Sequence, residues 1–236
     1  VVSLLAAFTQ AFVKDNHSRL ASNYKKEWFN VCNKGGFEFY NSHLCNDHFT
    51  RLMKLYTKAK SMRWLVNIRD PRDVCVSAVF YIDKVRGTQG ILSGMGLSWN
   101  EWSKLDFNGK LGEAIKSQHC REQYGNAFYL RDECSHVLVT RYEELVGGAG
   151  GGYDDTRDKA IIRIAQHIGL LSIPSEQISC KVTPQTTYGQ SRSHGTFRHG
   201  RIGAYKTHFT PDHHRLFAAM YSKEIEKIKH IILYPL

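Results

Sequence analysis

The chain reads as a single α/β domain, with a mostly parallel central sheet flanked by helices, and three observations predict it. Short apolar or β-branched runs alternate with longer stretches of helical period, the pattern of strands joined by crossover helices. The 236 residues, 42% hydrophobic, suffice for one substantial core, and no linker or repeat divides them. Polar residues stand just beyond three predicted strands, where α/β sheets place their ligands: His43, Arg69 and Tyr142. The expectation is one domain over residues 1–236.

Val1 to Val13 is apolar but carries Ser3, Thr9 and Gln10 and stops at Lys14-Asp15. It is too short to span a bilayer and lacks a basic leader and a small-residue cleavage site, so a core helix over Val1–Lys14 is expected, with no membrane association. Phe37–Tyr40 is the first predicted strand, and a helix over Asp47–Ala59 comes after it. Arg63–Ile68 is the second strand, with the apolar stretch Trp64-Leu65-Val66-Asn67-Ile68 reading as buried.

The junction after that strand carries the most chemistry. Arg69-Asp70-Pro71-Arg72-Asp73-Val74-Cys75-Val76-Ser77 opens a helix over Asp73–Arg86, in which Val74, Ala78, Tyr81 and Val85 can share one face. Pro71 suits a first helical turn and Asp70 or Asp73 suits a cap. Backbone N–H groups, Arg69 and the Ser77 hydroxyl can then converge on a dianionic ligand. A second basic run, Phe197-Arg198-His199-Gly200-Arg201-Ile202-Gly203-Ala204-Tyr205-Lys206, completes the expected anion site.

Thr88 to Ser103 reads as a variable loop, Gly109–Tyr124 as a helix and His136–Thr140 as the third strand, with Tyr142 just after it. The run Gly147-Gly148-Ala149-Gly150-Gly151-Gly152 lacks a following Gly-Lys-Ser/Thr, so it reads as a flexible surface loop rather than a phosphate cradle. Helices over Asp155–Ile168 and Pro211–Lys229 complete the chain, the last with Leu216, Met220, Ile225 and Ile228 as core candidates.

A formal charge of +10 favours anionic partners, but the Lys and Arg residues are spread along the chain, and a phosphorylated small molecule accounts for them. No nucleic-acid-binding module is recognisable, and the twelve Tyr and twelve Phe read as core, so nucleic acid is not an expected partner. Six scattered cysteines lack the spacing of a disulfide scaffold, which points to a reducing, cytoplasmic setting. Cys32, His43, Cys45 and His48 contain no Cys-x-x-Cys and no helical His pairing, so no metal is expected.

From the first residues to about Lys206, these segments resemble the cytosolic sulfotransferases, which use 3′-phosphoadenosine 5′-phosphosulfate. In that family an Arg followed eight residues later by Ser, within Arg-Asp/Asn-Pro/Ala-Arg/Lys-Asp-Val-x-Val-Ser, binds the 3′-phosphate. The resemblance implies those roles for Arg69 and Ser77, and a sulfotransferase fold of the P-loop kind. The family's Arg-Lys-Gly-x-x-Gly-x-Trp-Lys element looks like residues Arg198 to Lys206, which implies donor contacts from Arg198, His199 and Gly200. Tyr205 stands where the family prefers Trp, and His199 where it has Lys.

Tyr142, in Thr140-Arg141-Tyr142-Glu143-Glu144-Leu145, resembles a Tyr-Glu-Asp-Leu element whose Tyr lies near the adenine. His43, in Tyr40-Asn41-Ser42-His43-Leu44, is similar in place to the family's general base; Asn41 replaces the family's Lys. The resemblance therefore implies an enzyme that moves a sulfuryl group from that donor to a hydroxyl, phenol or amine of a small molecule, releasing 3′-phosphoadenosine 5′-phosphate without a metal.

The family's Lys-Ser-Gly-Thr-Thr-Trp loop is not in this chain; Val1-Val2-Ser3-Leu4-Leu5 resembles the residues just after its two Thr, so an upstream loop is expected. A nucleotide-binding relative without turnover is the alternative that this leaves, and a basic nucleic-acid-binding protein is a more distant one. Near the C terminus, Pro211 and Arg215 replace the Val and Glu of the family's dimer element, so oligomeric state stays open.

Overall fold

The computed structural model describes residues 20–21, 39–40, 63–86, 89–134, 136–169 and 201–231. These residues gather into two compact units. The described part is mostly helical, with parallel strand pairs, and is α/β in class.

The first unit holds the strands. β1 (Leu20–Ala21) pairs in parallel with β2 (Phe39–Tyr40), Leu20 opposite Phe39 and Ala21 opposite Tyr40. β3 (Trp64–Ile68) pairs with β4 (Val137–Arg141). Trp64 N–H donates to the His136 carbonyl near one end, and the Thr140 hydroxyl lies 3.4 Å from the Val66 carbonyl further along. Start therefore meets start, and the two strands run the same way. Trp64, Val66 and Ile68 alternate inward with Leu65 and Asn67 outward, the period of a half-buried strand.

The expected central sheet is thus present as two separate two-stranded pairs among the described residues. A short helix, Tyr142–Leu145, leaves β4 directly, and Asp154–His167 buries Ala160, Ile161, Ile164 and Ala165.

The glycine run between those two helices is built rather than slack. Gly148–Gly150 forms a turn of 3₁₀ helix, Gly150 is buried, and the Asp154 carboxylate accepts Gly148 N–H at 3.0 Å. Gly147 sits at φ 64°, and a Cβ there would come within 2.6 Å of both Arg157 Nη1 and Asp154 Oδ1. Only glycine meets both conditions without strain.

The second unit is helical. α1 (Pro71–Val85) starts at Asp70, whose side chain accepts Arg72 N–H at 2.9 Å, and Pro71 takes the first helical position. It ends at Arg86, in the left-handed region at φ 49°, whose N–H returns to the Ile82 carbonyl. The face expected to be apolar is not the buried one. Cys75, Val76, Val79 and Ile82 are buried, Val74, Ala78 and Tyr81 are half-buried, and Val85 is exposed. Both sets fit a helical period, and packing selects the one that meets the other helices.

Within the stretch read as a loop, α2 (Gln89–Gly94) and α3 (Trp99–Trp102) form, the latter with a capping box between Ser98 and Glu101. The single helix expected over Gly109–Tyr124 is two, α4 (Phe107–Lys116) and α5 (Gln118–Glu133), broken at Ser117. The last, α8 (Pro211–Ile231), carries Phe217 and Tyr221 into a core with Trp102, Leu111, Ala114 and Ile115; α6 and α7 are the two first-unit helices above, Tyr142–Leu145 and Asp154–His167. Leu216, Met220 and Ile225 pack half-buried against this core, as a helical stripe from that segment requires.

Among the described residues no helix is long and apolar enough to cross a membrane. Cys75, Cys120 and Cys134 are free thiols.

Candidate functional site

The site is assembled in the second unit from the start of α1 and the segment that precedes α8. Arg69 is the first residue after β3, and its side chain is 20% exposed. Its Nη2 donates to the Arg201 carbonyl at 2.9 Å, across 132 positions of sequence, and stands 3.5 Å from Asp73 Oδ2. Thus the two basic segments singled out in the sequence meet at Arg69.

Asp73 does more of this joining than any cation. Its side chain is fully buried, yet both oxygens are occupied: Oδ2 accepts Gly203 N–H at 2.8 Å and Oδ1 accepts Tyr205 N–H at 3.0 Å. A buried carboxylate is tolerable only with such partners. Gly203 takes φ 75°, a left-handed turn after which the Tyr205 amide faces α1, and Ala204–Thr207 continues as 3₁₀ helix. Asp70, not Asp73, is the helix cap, so the two acidic residues that sequence could not separate have distinct tasks.

Arg72 adds a third tie. Its guanidinium lies over the Tyr205 ring, 3.8 Å from the centroid, while Nε and Nη2 fork onto Asp70 at 3.0 and 2.6 Å. Burial works against this charge, but the hydrogen bond and attraction from Asp70 outweigh it, and the group is held above its ordinary value. From α5, the Tyr124 hydroxyl donates to the Arg69 carbonyl at 2.6 Å, fixing the backbone that presents the arginine.

Ser77 is exposed and lies one helical turn beyond Asp73. The segments 69–77 and 201–206 hold four cations, Arg69, Arg72, Arg201 and Lys206, against Asp70 and Asp73. This surplus of positive charge and an exposed hydroxyl together suit a multiply charged oxyanion.

Tyr142 falls where the sequence placed it, directly after β4, half-buried at the start of α6 in the first unit. Beside it, Arg141 pairs with Glu143 at 3.6 Å, and Glu144 accepts both Arg141 N–H and Arg163 Nη2. His43, Arg198, His199 and Gly200 lie outside the described residues. Sequence reasoning named Arg69 and Ser77 but missed the use of Asp73, Tyr124 and the amides of Gly203 and Tyr205. Backbone donors carry no residue-type signature, and Tyr124 read as core; the one available signal was a second acidic residue beside a helix that already had a cap.

Among the described residues no group of three or more His, Cys, Asp or Glu could hold a metal. Compared with family models, curated proteins and solved structures, the chain finds no match in any of the three.

Proposed function

We propose that the chain belongs to a sulfotransferase of the cytosolic kind, moving a sulfuryl group from 3′-phosphoadenosine 5′-phosphosulfate to a hydroxyl, phenol or amine of a small acceptor. The observation that supports it is the Arg69 contact with the Arg201 carbonyl, which joins the two segments on which the resemblance rests. Were those segments on separate surfaces, no common phosphate could be gripped.

In this reading Arg69 and Ser77 bind the 3′-phosphate, and Arg198, His199 and Gly200 bind it from the second segment. Tyr142 serves the adenine. His43 takes the proton from the acceptor as its oxygen or nitrogen bonds to sulfur and the bond from sulfur to the 5′-phosphate oxygen breaks; the products are a sulfate ester or sulfamate and 3′-phosphoadenosine 5′-phosphate. A neutral imidazole, with an ordinary pKa of about 6.5, suits that step. Charge-assisted hydrogen bonds to the phosphate supply binding, and in-line placement supplies rate.

The test is a set of two variants assayed for nucleotide binding and for sulfate transfer to a phenol. His43→Ala is expected to abolish transfer and keep nucleotide affinity, whereas Arg69→Ala is expected to weaken affinity at least tenfold. Full transfer by the His43 variant would remove the proposed base, and unchanged affinity in the Arg69 variant would remove the proposed phosphate site.

A further inference from the structure

We propose that Asp73 is the positioning residue of this anion site: its carboxylate holds the second basic segment against Arg69, and so sets the affinity for the nucleotide's 3′-phosphate. The inference rests on the sulfotransferase reading for the identity of the ligand, and on geometry for everything else.

An acidic residue in the first turn of a helix ordinarily needs no explanation beyond the helix dipole. Here that account fails, because Asp70 already caps α1 while both Asp73 oxygens are directed to another stretch of chain, at Gly203 and Tyr205. Oδ2 is shared, taking Gly203 N–H at 2.8 Å with Arg69 Nη2 at 3.5 Å, and that same Nη2 donates to the Arg201 carbonyl. One oxygen and one nitrogen therefore couple the arginine to the segment. Shifting either moves the other, and the fully buried carboxylate has no solvent to fall back on.

Charge alone predicts the opposite consequence to positioning. Asp73 is a negative charge beside a site for an anion, so neutralising it should tighten phosphate binding if its only effect were electrostatic. If it positions, neutralising it loosens the segment and weakens binding. Asn in its place keeps one acceptor, loses the ion pair, and turns an NH₂ toward an amide that needs an acceptor.

The experiment uses the full chain, with 3′-phosphoadenosine 5′-phosphate titrated by calorimetry below the melting midpoints, and hydrogen exchange followed at the Gly203 and Tyr205 amides. Asp73→Asn is expected to weaken nucleotide binding at least tenfold and to speed exchange at both amides at least tenfold. Asp73→Glu, which keeps two carboxylate oxygens, is expected to recover part of the affinity. Equal or tighter binding by Asp73→Asn overturns the positioning role.

Should Asp73→Asn not fold, replacing Tyr205 by its α-hydroxy analogue deletes one donor and leaves the carboxylate and the ring in place. It is then expected to weaken binding, and undiminished affinity there overturns the proposal. The two readings fail separately: no binding by the unaltered chain removes the nucleotide assignment, while binding indifferent to Asp73 removes only the positioning role.

Discussion

Tyr124 gives the sharpest case of a single residue acting at the site without belonging to either basic segment. Its ring is buried in α5 and its hydroxyl reaches the Arg69 carbonyl at 2.6 Å. Tyr124→Phe keeps the ring's packing and removes this hydrogen bond, which should cost about 1 to 2 kcal/mol. A lower melting midpoint, with affinity for the proposed nucleotide weakened several-fold, is the expected outcome; full affinity would mean that Arg69 is held by its side-chain contacts alone. His213 shows the same economy. Its Nδ1 accepts Thr210 N–H at 3.2 Å, so the proton must sit on Nε2, which donates to the Asn108 carbonyl at 3.0 Å. A buried imidazole with a settled tautomer thus joins the start of α8 to α4.

At the scale of elements, α1 is the frame of the site, and its two ends differ in quality. The start combines Asp70, Pro71 and a filled first turn, whereas the end places Arg86 at φ 49°. An L residue there is strained by about 1 to 2 kcal/mol, part of which glycine returns as lost chain entropy on folding. Arg86→Gly should therefore raise stability by about 0.5 to 1 kcal/mol, read as a higher denaturant midpoint with an unchanged slope.

The same helix explains what the sequence could and could not reveal. Its existence is legible in Pro71 and the apolar spacing, and β3 and β4 are legible in Trp64-Leu65-Val66 and Val137-Leu138-Val139. Which side faces inward was not, because Val74, Ala78 and Tyr81 are as apolar as Cys75, Val79 and Ile82, and only neighbouring helices decide between them. The break at Ser117 was hidden for a related reason: apolar spacing continues through it, while ψ 120° at that one residue separates α4 from α5. In the glycine run, composition suggested slackness, but Gly147 at φ 64° and the Asp154 cap make it a defined turn. Arg69 and Ser77 could be singled out as candidates because side-chain chemistry is visible in a sequence; the grip of Asp73 on two amides about 130 positions away was not.

At the scale of the whole molecule, single buried groups in the two units respond differently to acid. In the second, the Cys75 thiol is raised well above its ordinary range by its hydrogen bond with Cys120 and by burial, so it stays protonated and packed through the physiological range. The first unit contains a group that does respond. His167 closes α7 by donating from Nε2 to the Trp64 carbonyl at 2.9 Å, while its own carbonyl accepts from the Arg63 guanidinium. Burial, with repulsion from Arg63 and His136, lowers its pKa below the ordinary 6.5, and the hydrogen bonds to the Trp64 and His136 backbones only partly oppose this. An unfolded chain then takes up the proton near pH 6.5 while the folded chain still refuses it. Stability from this group is therefore present above about pH 6.5 and declines as pH falls through the lower folded value, below which the loss is complete. His167→Gln, which retains a donor for the Trp64 carbonyl and cannot titrate, should flatten that part of the profile. Melting midpoints of both proteins from pH 7.5 to 5 give the comparison. Parallel curves would place the acid sensitivity in other groups, and a curve for the variant that falls less steeply would locate it at the end of α7.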